Sequence, residues 1–355
     1  MTVRRNWLLA AVALAMSVST SGCAVVLLGS AFPAGSSSPT GSFSPQDKYG
    51  FEMSEADRYL ADTAEFVRSL DPCGFLTEDD LAALGTVVQL RPDGELSTCS
   101  ASLKPATSSA TDSVSIDLNG YQPTSDDPDY EQIMIGDEQV YQDNSSPGSC
   151  RVGFPLRGEF DGATPGAMDG FLTESGRGFA TIDVYRAVGD ACAAATTVAE
   201  TALGLLDDPP LRADSKYNLP LAMKDPCAVL EHLPATWTVG RWNPPSDPYR
   251  CHFTASSATF EDNLMMLDVT LSYVDTELRS TDRKTVQQGG YTVETRDSDS
   301  VCSADIVLGN PVLGLPGNDD SAARYARTVP ELSVMADDCD SAVTLAVAAA
   351  DELTG

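Results

Sequence analysis

Eight cysteines fall into two sets with nearly the same spacing, and that repetition limits the chain more than any other feature. Cys73, Cys99, Cys150 and Cys192 are separated by 26, 51 and 42 residues; Cys227, Cys251, Cys302 and Cys339 are separated by 24, 51 and 37. The flanking residues repeat too. Asp71-Pro72-Cys73 answers Asp225-Pro226-Cys227, and an aspartate shortly precedes the last cysteine of each set, in Asp190-Ala191-Cys192 and Asp338-Cys339. Repetition over such a period reads as an internal duplication, two copies of one module each closed by its own four cysteines. The closest two of these cysteines are 24 residues apart, so there is no Cys-x-x-Cys for thioredoxin chemistry or a zinc knuckle. An even count in an exported chain points to disulfides. Four cysteines allow three pairings per copy. First with second and third with fourth is the expected pairing, the other two staying open, with each bridge contributing about 3 kcal/mol by restricting the unfolded chain.

Export itself is read from the N-terminus. Arg4 and Arg5 precede an apolar run from Trp7 to Val18, followed by small residues ending in Gly22-Cys23. A short basic region, an apolar core and a small-residue cleavage site make a signal peptide. Gly22-Cys23 is how bacterial lipoprotein signals end, so residues 1–22 are expected to be removed and Cys23 to carry lipid, palmitate included. Thr20 stands where such signals usually have Leu. An uncleaved anchor is the competing reading, because Ala24 to Leu28 extends the apolar stretch towards the ~20 residues that a span needs. Ser19 to Cys23 interrupts it. Paired arginines also loosely fit a twin-arginine signal. Residues 23–50, rich in Ser, Gly, Pro and Thr, read as a flexible tether.

The charge balance removes whole classes of partner. With 52 acidic against 22 basic side chains the formal net charge is -30, the reverse of what a phosphate backbone or an anionic lipid surface attracts. The expected membrane contact is therefore the N-terminal lipid alone, and nucleic acid is excluded. Hydrophobic residues at 42% suffice for a packed core.

Local signals give the plan of each copy. Asp before Pro caps and starts a helical turn, because Asp accepts free backbone N–H groups and Pro is tolerated at the first position. Thr77 restarts a short helix through Leu84, stopped by Gly85, and in the second copy the turn from Ala228 to Leu233 halts before Pro234. Alternation of apolar and polar residues around Val114, Ile116 and Leu118, and around Leu267, Val269, Leu271 and Tyr273, predicts half-buried strands. Further strands are expected at 139–142, 150–155 and 180–185, with counterparts at 291–295, 303–308 and 332–335. Ala-rich amphipathic runs containing Val198 and Val343 close the copies as helices. The fold class is α+β: two tandem homologous modules, 51–210 and 211–355, each an antiparallel sheet of four or five strands with N- and C-terminal helices and two disulfides.

Signal and Cys23, tether, and Asp71-Pro72-Cys73 with Cys99, repeated as Asp225-Pro226-Cys227 with Cys251, resemble a family of actinobacterial cell-envelope lipoproteins with Asp-Pro-Cys domains, here as a tandem pair. The resemblance implies an outward-facing, lipid-anchored envelope protein with no established activity. Ser100-Ala101 and His252-Phe253 stand where such proteins often carry Trp after the second cysteine.

Residues suited to catalysis are sparse. His232 and His252 are the only histidines, neither has a counterpart in the first copy, and no Gly-x-Ser-x-Gly, Ser-x-x-Lys or His-Glu-x-x-His occurs. Asp127, Asp129 and Glu131 alternate, and Asn318-Asp319-Asp320 forms a second acidic patch; Gln132 takes the place where a calcium loop needs Gly, so both are read as solvated loops. No metal or cofactor is expected. Trp237, Trp242 and Tyr249, among Pro244, Pro245 and Pro248, are the candidate ligand-stacking residues, against the plainer expectation that they pack in the core. The sequence therefore favours a non-catalytic protein that binds or senses an envelope ligand or protein in an intermodule cleft. The alternatives are a hydrolase using paired carboxylates and a structural spacer.

Overall fold

The computed structural model describes residues 47–355 apart from 94, 107–109, 121, 124–128, 144–145, 147, 157–177, 218, 244–246, 258–264, 276–281, 299 and 312–327. Contacts divide the chain into residues 1–42 and residues 43–355, the first lying outside the described residues. Cys23 and nearly all of the expected tether lie outside as well, as do Asp126, Asp127, Pro244, Pro245 and the Asn318-Asp319-Asp320 patch.

A short hairpin of β1 (Asp47–Lys48) and β2 (Phe51–Glu52) leads into helix α1 (Glu55–Ser69), then a 3-10 turn (Pro72–Phe75) and α2 (Glu78–Leu84). The first sheet follows: β3 (Thr86–Pro92), β4 (Thr98–Lys104), β5 (Asp112–Asp117), β6 (Tyr130–Ile135), β7 (Glu138–Asp143), β8 (Ser149–Pro155) and β9 (Phe179–Tyr185). Helix α3 (Ala191–Gly204) ends this half. A connector of short 3-10 turns leads to the turn Pro226–His232. The second sheet holds β10 (Trp237–Asn243), β11 (Arg250–Ser257), β12 (Met265–Asp275), β13 (Lys284–Gln288), β14 (Tyr291–Ser298), β15 (Val301–Val307) and β16 (Thr328–Ala336). Helix α4 (Cys339–Thr354) closes the chain.

Both sheets are antiparallel and seven-stranded, in the orders β3-β4-β5-β9-β8-β7-β6 and β10-β11-β12-β16-β15-β14-β13. Counted from its first strand, each has the same order. The fold is mixed α+β, with more strands than the four or five expected and few helices. Of the strands missing from the sequence reading, β3, β6, β10 and β13 are edge strands, and β4 and β11 lie next to an edge. β13 is exposed along its whole length, so no face alternates. Register shifts between Val87 and Gln89 in β3, and between Val239 and Arg241 in β10, break the two-residue period there.

Each final helix lies against the interior strands of its sheet. α3 buries Ala191, Ala194, Ala195, Val198, Ala199 and Ala202, whose small side chains let it approach β8 and β9 closely. α4 covers β15 and β16. Four disulfides pin these layers, pairing first with second and third with fourth cysteine in each set. Cys73–Cys99 and Cys227–Cys251 tie each Asp-Pro-Cys turn to the second strand of its sheet, and Cys150–Cys192 and Cys302–Cys339 tie each final helix to a central strand. Both turns start as the sequence predicts, with Asp71 Oδ1 accepting from Cys73 N at 3.0 Å and Asp225 Oδ1 from Cys227 N at 2.9 Å.

The two halves meet across buried polar contacts. Arg68, 5% exposed, donates to the Pro248 carbonyl at 2.8 Å and pairs with Asp225 at 3.0 Å. Arg212 donates to the Arg68 carbonyl at 3.1 Å, to the Tyr249 hydroxyl at 2.9 Å and to the Leu96 carbonyl. Tyr49 is buried against the second half, its hydroxyl donating to Asp225 at 2.8 Å and its ring 5.8 Å from that of Trp242. The intermodule cleft expected from sequence is thus filled where these side chains meet, because the guanidinium groups of Arg68 and Arg212 and the phenols of Tyr49 and Tyr249 are buried there, bonded to Asp225, to backbone carbonyls and, for Arg212 and Tyr249, to each other.

Candidate functional site

The aromatic residues singled out in the sequence do not form a ligand platform. Trp237 and Trp242 lie on strand β10 instead of a loop, and Trp242 is 8% exposed, with its indole N–H donating to Cys227 Sγ at 3.2 Å. Tyr249 is buried under Arg212. Trp237 is half-buried against the core. These rings are committed to packing, so neither Trp242 nor Tyr249 presents a free face for stacking.

Both imidazoles are engaged. His232 is half-exposed and pairs through Nε2 with Glu352 of α4 at 2.7 Å. His252 Nδ1 sits 3.6 Å from Asp268, whose buried carboxylate also takes the Arg250 guanidinium. The buried acids on the sheet face away from α4 are held the same way. Asp305 accepts from Arg283 at 2.6 Å and from the Ser333 hydroxyl at 2.6 Å, with Glu294 3.3 Å from the same guanidinium. Such groups are neutralised and fixed, which suits architecture more than proton transfer. Among the described residues, no group of three His, Cys, Asp or Glu side chains is placed to hold a metal ion. Asp129 and Glu131 flank Tyr130 at the start of β6, on a sheet edge.

One acidic neighbourhood is perturbed. Burial pushes the Asp247 carboxyl above its usual range, and the charges of Asp117 and Asp268 add to the effect. Burial raises Glu95 too, reinforced by Asp117, Asp247 and Asp93. Carboxylates from both halves thus repel one another beside the buried arginines.

Among the described residues, an open groove of about 830 Å³ lies on the first half. Its floor is the outer edge of β3, from Thr86 to Leu90. One wall is α2, through Glu78, Asp79, Ala82, Ala83 and Leu84, and the other is the connector, through Lys216 and Tyr217. A second depression of about 640 Å³ continues along the connector past Asp208 and Asp214 and shares Glu78, Leu90, Lys216 and Tyr217 with the first. Lys216 and Glu78 form an exposed ion pair at 3.2 Å, and the Tyr217 hydroxyl donates to the Leu90 carbonyl. The connector reaches this position because Gly74 lets Pro210 approach; a Cβ on Gly74 would lie 2.3 Å from Pro210 Cβ. The second copy has Ala228 there.

No sequence motif points to this groove. Its walls come from segments 138 residues apart for Lys216 and Glu78, and 127 apart for Tyr217 and Leu90. Comparisons with family models, with curated proteins and with solved structures found no match. Among the described residues, no helix is long and apolar enough to cross a membrane.

Proposed function

We propose that the chain is an extracytoplasmic lipoprotein, anchored through Cys23 to the outer face of the cell membrane, whose two modules arose by duplication and act together as a non-catalytic binding body. It resembles the Asp-Pro-Cys envelope lipoproteins in these respects. Support for duplication comes from the common strand order and the equivalent placement of the bridges. Support for export comes from the pairing of all eight cysteines that follow Cys23, since disulfides persist in oxidising compartments. The observation that carries the binding reading is the groove between β3, α2 and the connector, set in a body whose histidines and buried ion pairs are already engaged. Concave sites with a few converging polar groups are where ligands bind.

The direct experiment is thermal unfolding of the oxidised body, residues 36–355, with fractions of envelope extract. A ligand at a hundred times its dissociation constant stabilises a fold by about 2.7 kcal/mol. A shift with one fraction supports binding, and no shift with any fraction counts against it. A second reading, hydrolysis by paired carboxylates, draws on the raised Glu95 and Asp247 carboxyls. Turnover of envelope glycans that disappears in Glu95→Gln and Asp247→Asn would favour it.

A further inference from the structure

We infer that a pocket on the second half, apart from the groove, binds the carboxylate of a small amphiphile through Lys224 and Tyr273, with the aliphatic tail against its apolar walls. The pocket, of about 530 Å³, lies where the end of β12, the start of β16, the last turn of α4 and the turn Pro220–Met223 meet. That volume is in the range of small-molecule sites. Leu221, Leu308, Pro330 and Leu353 give it apolar walls, and Lys224 and Tyr273 bring polar atoms to them. Although the chain carries a net charge of -30, no acidic side chain is among the described residues that line it.

The matching place in the first half is closed. Lys224 and Leu70 each precede Asp-Pro-Cys, and Leu70 is fully buried. Val269 pairs with Cys251 and Val334 as Ile116 pairs with Cys99 and Ile182, so Tyr273 and Pro330 stand where the first half has Gly120 and Gly178. Helix α1 passes over that spot, since a Cβ on Gly178 would lie 3.5 Å from Thr63 Cγ2. Only the short turns of the connector precede Lys224. Its ammonium makes no ion pair or side-chain hydrogen bond among the described residues. The acids next to lining residues in sequence are engaged elsewhere: Asp225 with Arg68 and Tyr49, Glu352 with His232, and Asp351 with the Tyr291 hydroxyl. The Tyr273 hydroxyl accepts from the backbone N–H of Leu221, which leaves its own proton for an acceptor in the pocket. One ammonium and one hydroxyl donor beside aliphatic walls suit a carboxylate with an alkyl tail. A phosphate monoester brings nearly two charges, and the net charge of the chain opposes the second.

The test is equilibrium dialysis of the full chain, held in digitonin, against radiolabelled octanoate, with protein-free micelles as the baseline. The wild type is expected to take up octanoate saturably. Octyltrimethylammonium, of similar tail and opposite charge, should not bind, and octyl phosphate should bind more weakly. Lys224→Leu, which places the first half's residue at that position, should weaken octanoate binding at least about tenfold, the worth of a hydrogen bond to a charged group. Tyr273→Phe should weaken it about fivefold. No saturable uptake by the wild type up to about 1 mM overturns the inference, as does octanoate binding unchanged in Lys224→Leu or equal uptake of the ammonium amphiphile. Tighter binding of octyl phosphate overturns the carboxylate. On the wild type itself, octanoate should slow chemical acetylation of Lys224 and leave that of Lys216 unchanged; no protection of Lys224 overturns the site, whether or not the variants fold.

Discussion

Removing the Cys227–Cys251 bridge should have two separable effects, both calculable from its surroundings. The cysteines are 24 residues apart in sequence, and closing a loop of that size restricts the unfolded chain by about 3.5 kcal/mol. At roughly 2–4 °C per kcal/mol for a chain of this order, Cys227→Ala with Cys251→Ala should lower the melting temperature by about 7–14 °C. The second effect is optical. Trp242 donates its indole N–H to Cys227 Sγ at 3.2 Å, and a disulfide sulfur in contact with an excited indole quenches it. Once the signal segment with Trp7 is removed, the body contains only Trp237 and Trp242. The native emission of the double variant should therefore rise, with little change in wavelength because Trp242 stays buried. Circular dichroism and tryptophan emission, followed together on heating, measure both. Emission equal to the wild type would refute the Trp242–Cys227 contact, and a melting shift below 2 °C would refute the bridge's place in the fold.

Other perturbations separate the seam from the surface. Arg212→Ala leaves the Leu96 and Arg68 carbonyls and the Tyr249 hydroxyl without their buried donor, and should cost about 3 kcal/mol in urea unfolding. Lys216→Ala removes an exposed ion pair and should cost less than about 1 kcal/mol. Asp247 is raised by burial and by neighbouring carboxylates, so its contribution is most favourable below its unfolded pKa and is lost as pH rises through the folded one. Asp247→Asn keeps an acceptor for Tyr249 N and should stabilise the protein at pH 7, with the gain fading towards pH 4; destabilisation at pH 7 would contradict the repulsion. Tyr217 and Tyr273 are pushed up to about 12, mainly by burial. Below pH 10 each is neutral in both states; from pH 10 to 12 only the unfolded chain gives up the proton. The melting temperature should therefore fall steeply above pH 10, less so in Tyr217→Phe. Gly74→Ala, by forcing Pro210 away, should weaken whatever binds along the connector while leaving the second half's unfolding unchanged by hydrogen exchange.

Much of this architecture is legible in the sequence because it depends on local chemistry. The Asp-Pro-Cys turns declare themselves through capping and the fixed φ of proline, and α2 through Thr77 and Gly85. The strands that form the sheet centres, β5 and β12 among them, alternate because one face meets the core and the other does not. The illegible parts share a cause. β6 and β13 are edge strands whose pairing is set by a neighbour and not by burial. In β3 and β10 a bulge shifts the period midway. Helix α1 is missed because it rests on the connector through few apolar residues, Leu60, Ala61 and Val67 among those buried. Trp242 and Tyr249 look like part of a binding loop because proline surrounds them, yet Tyr49 packs on Trp242 from the start of the chain and Arg212 holds Tyr249 from the connector. The groove is hidden for the same reason, since an edge becomes a floor only when a remote connector folds beside it.

Export, lipidation at Cys23 and the two disulfide-closed modules are tested most directly by the intact mass and non-reducing peptide map of the chain extracted from membranes of the cell that makes it. The expected polypeptide begins at Cys23, carries acyl mass on that residue and yields the linked peptides Cys73–Cys99, Cys150–Cys192, Cys227–Cys251 and Cys302–Cys339. A chain that retains residues 1–22, or one whose eight downstream cysteines are free thiols, would contradict it.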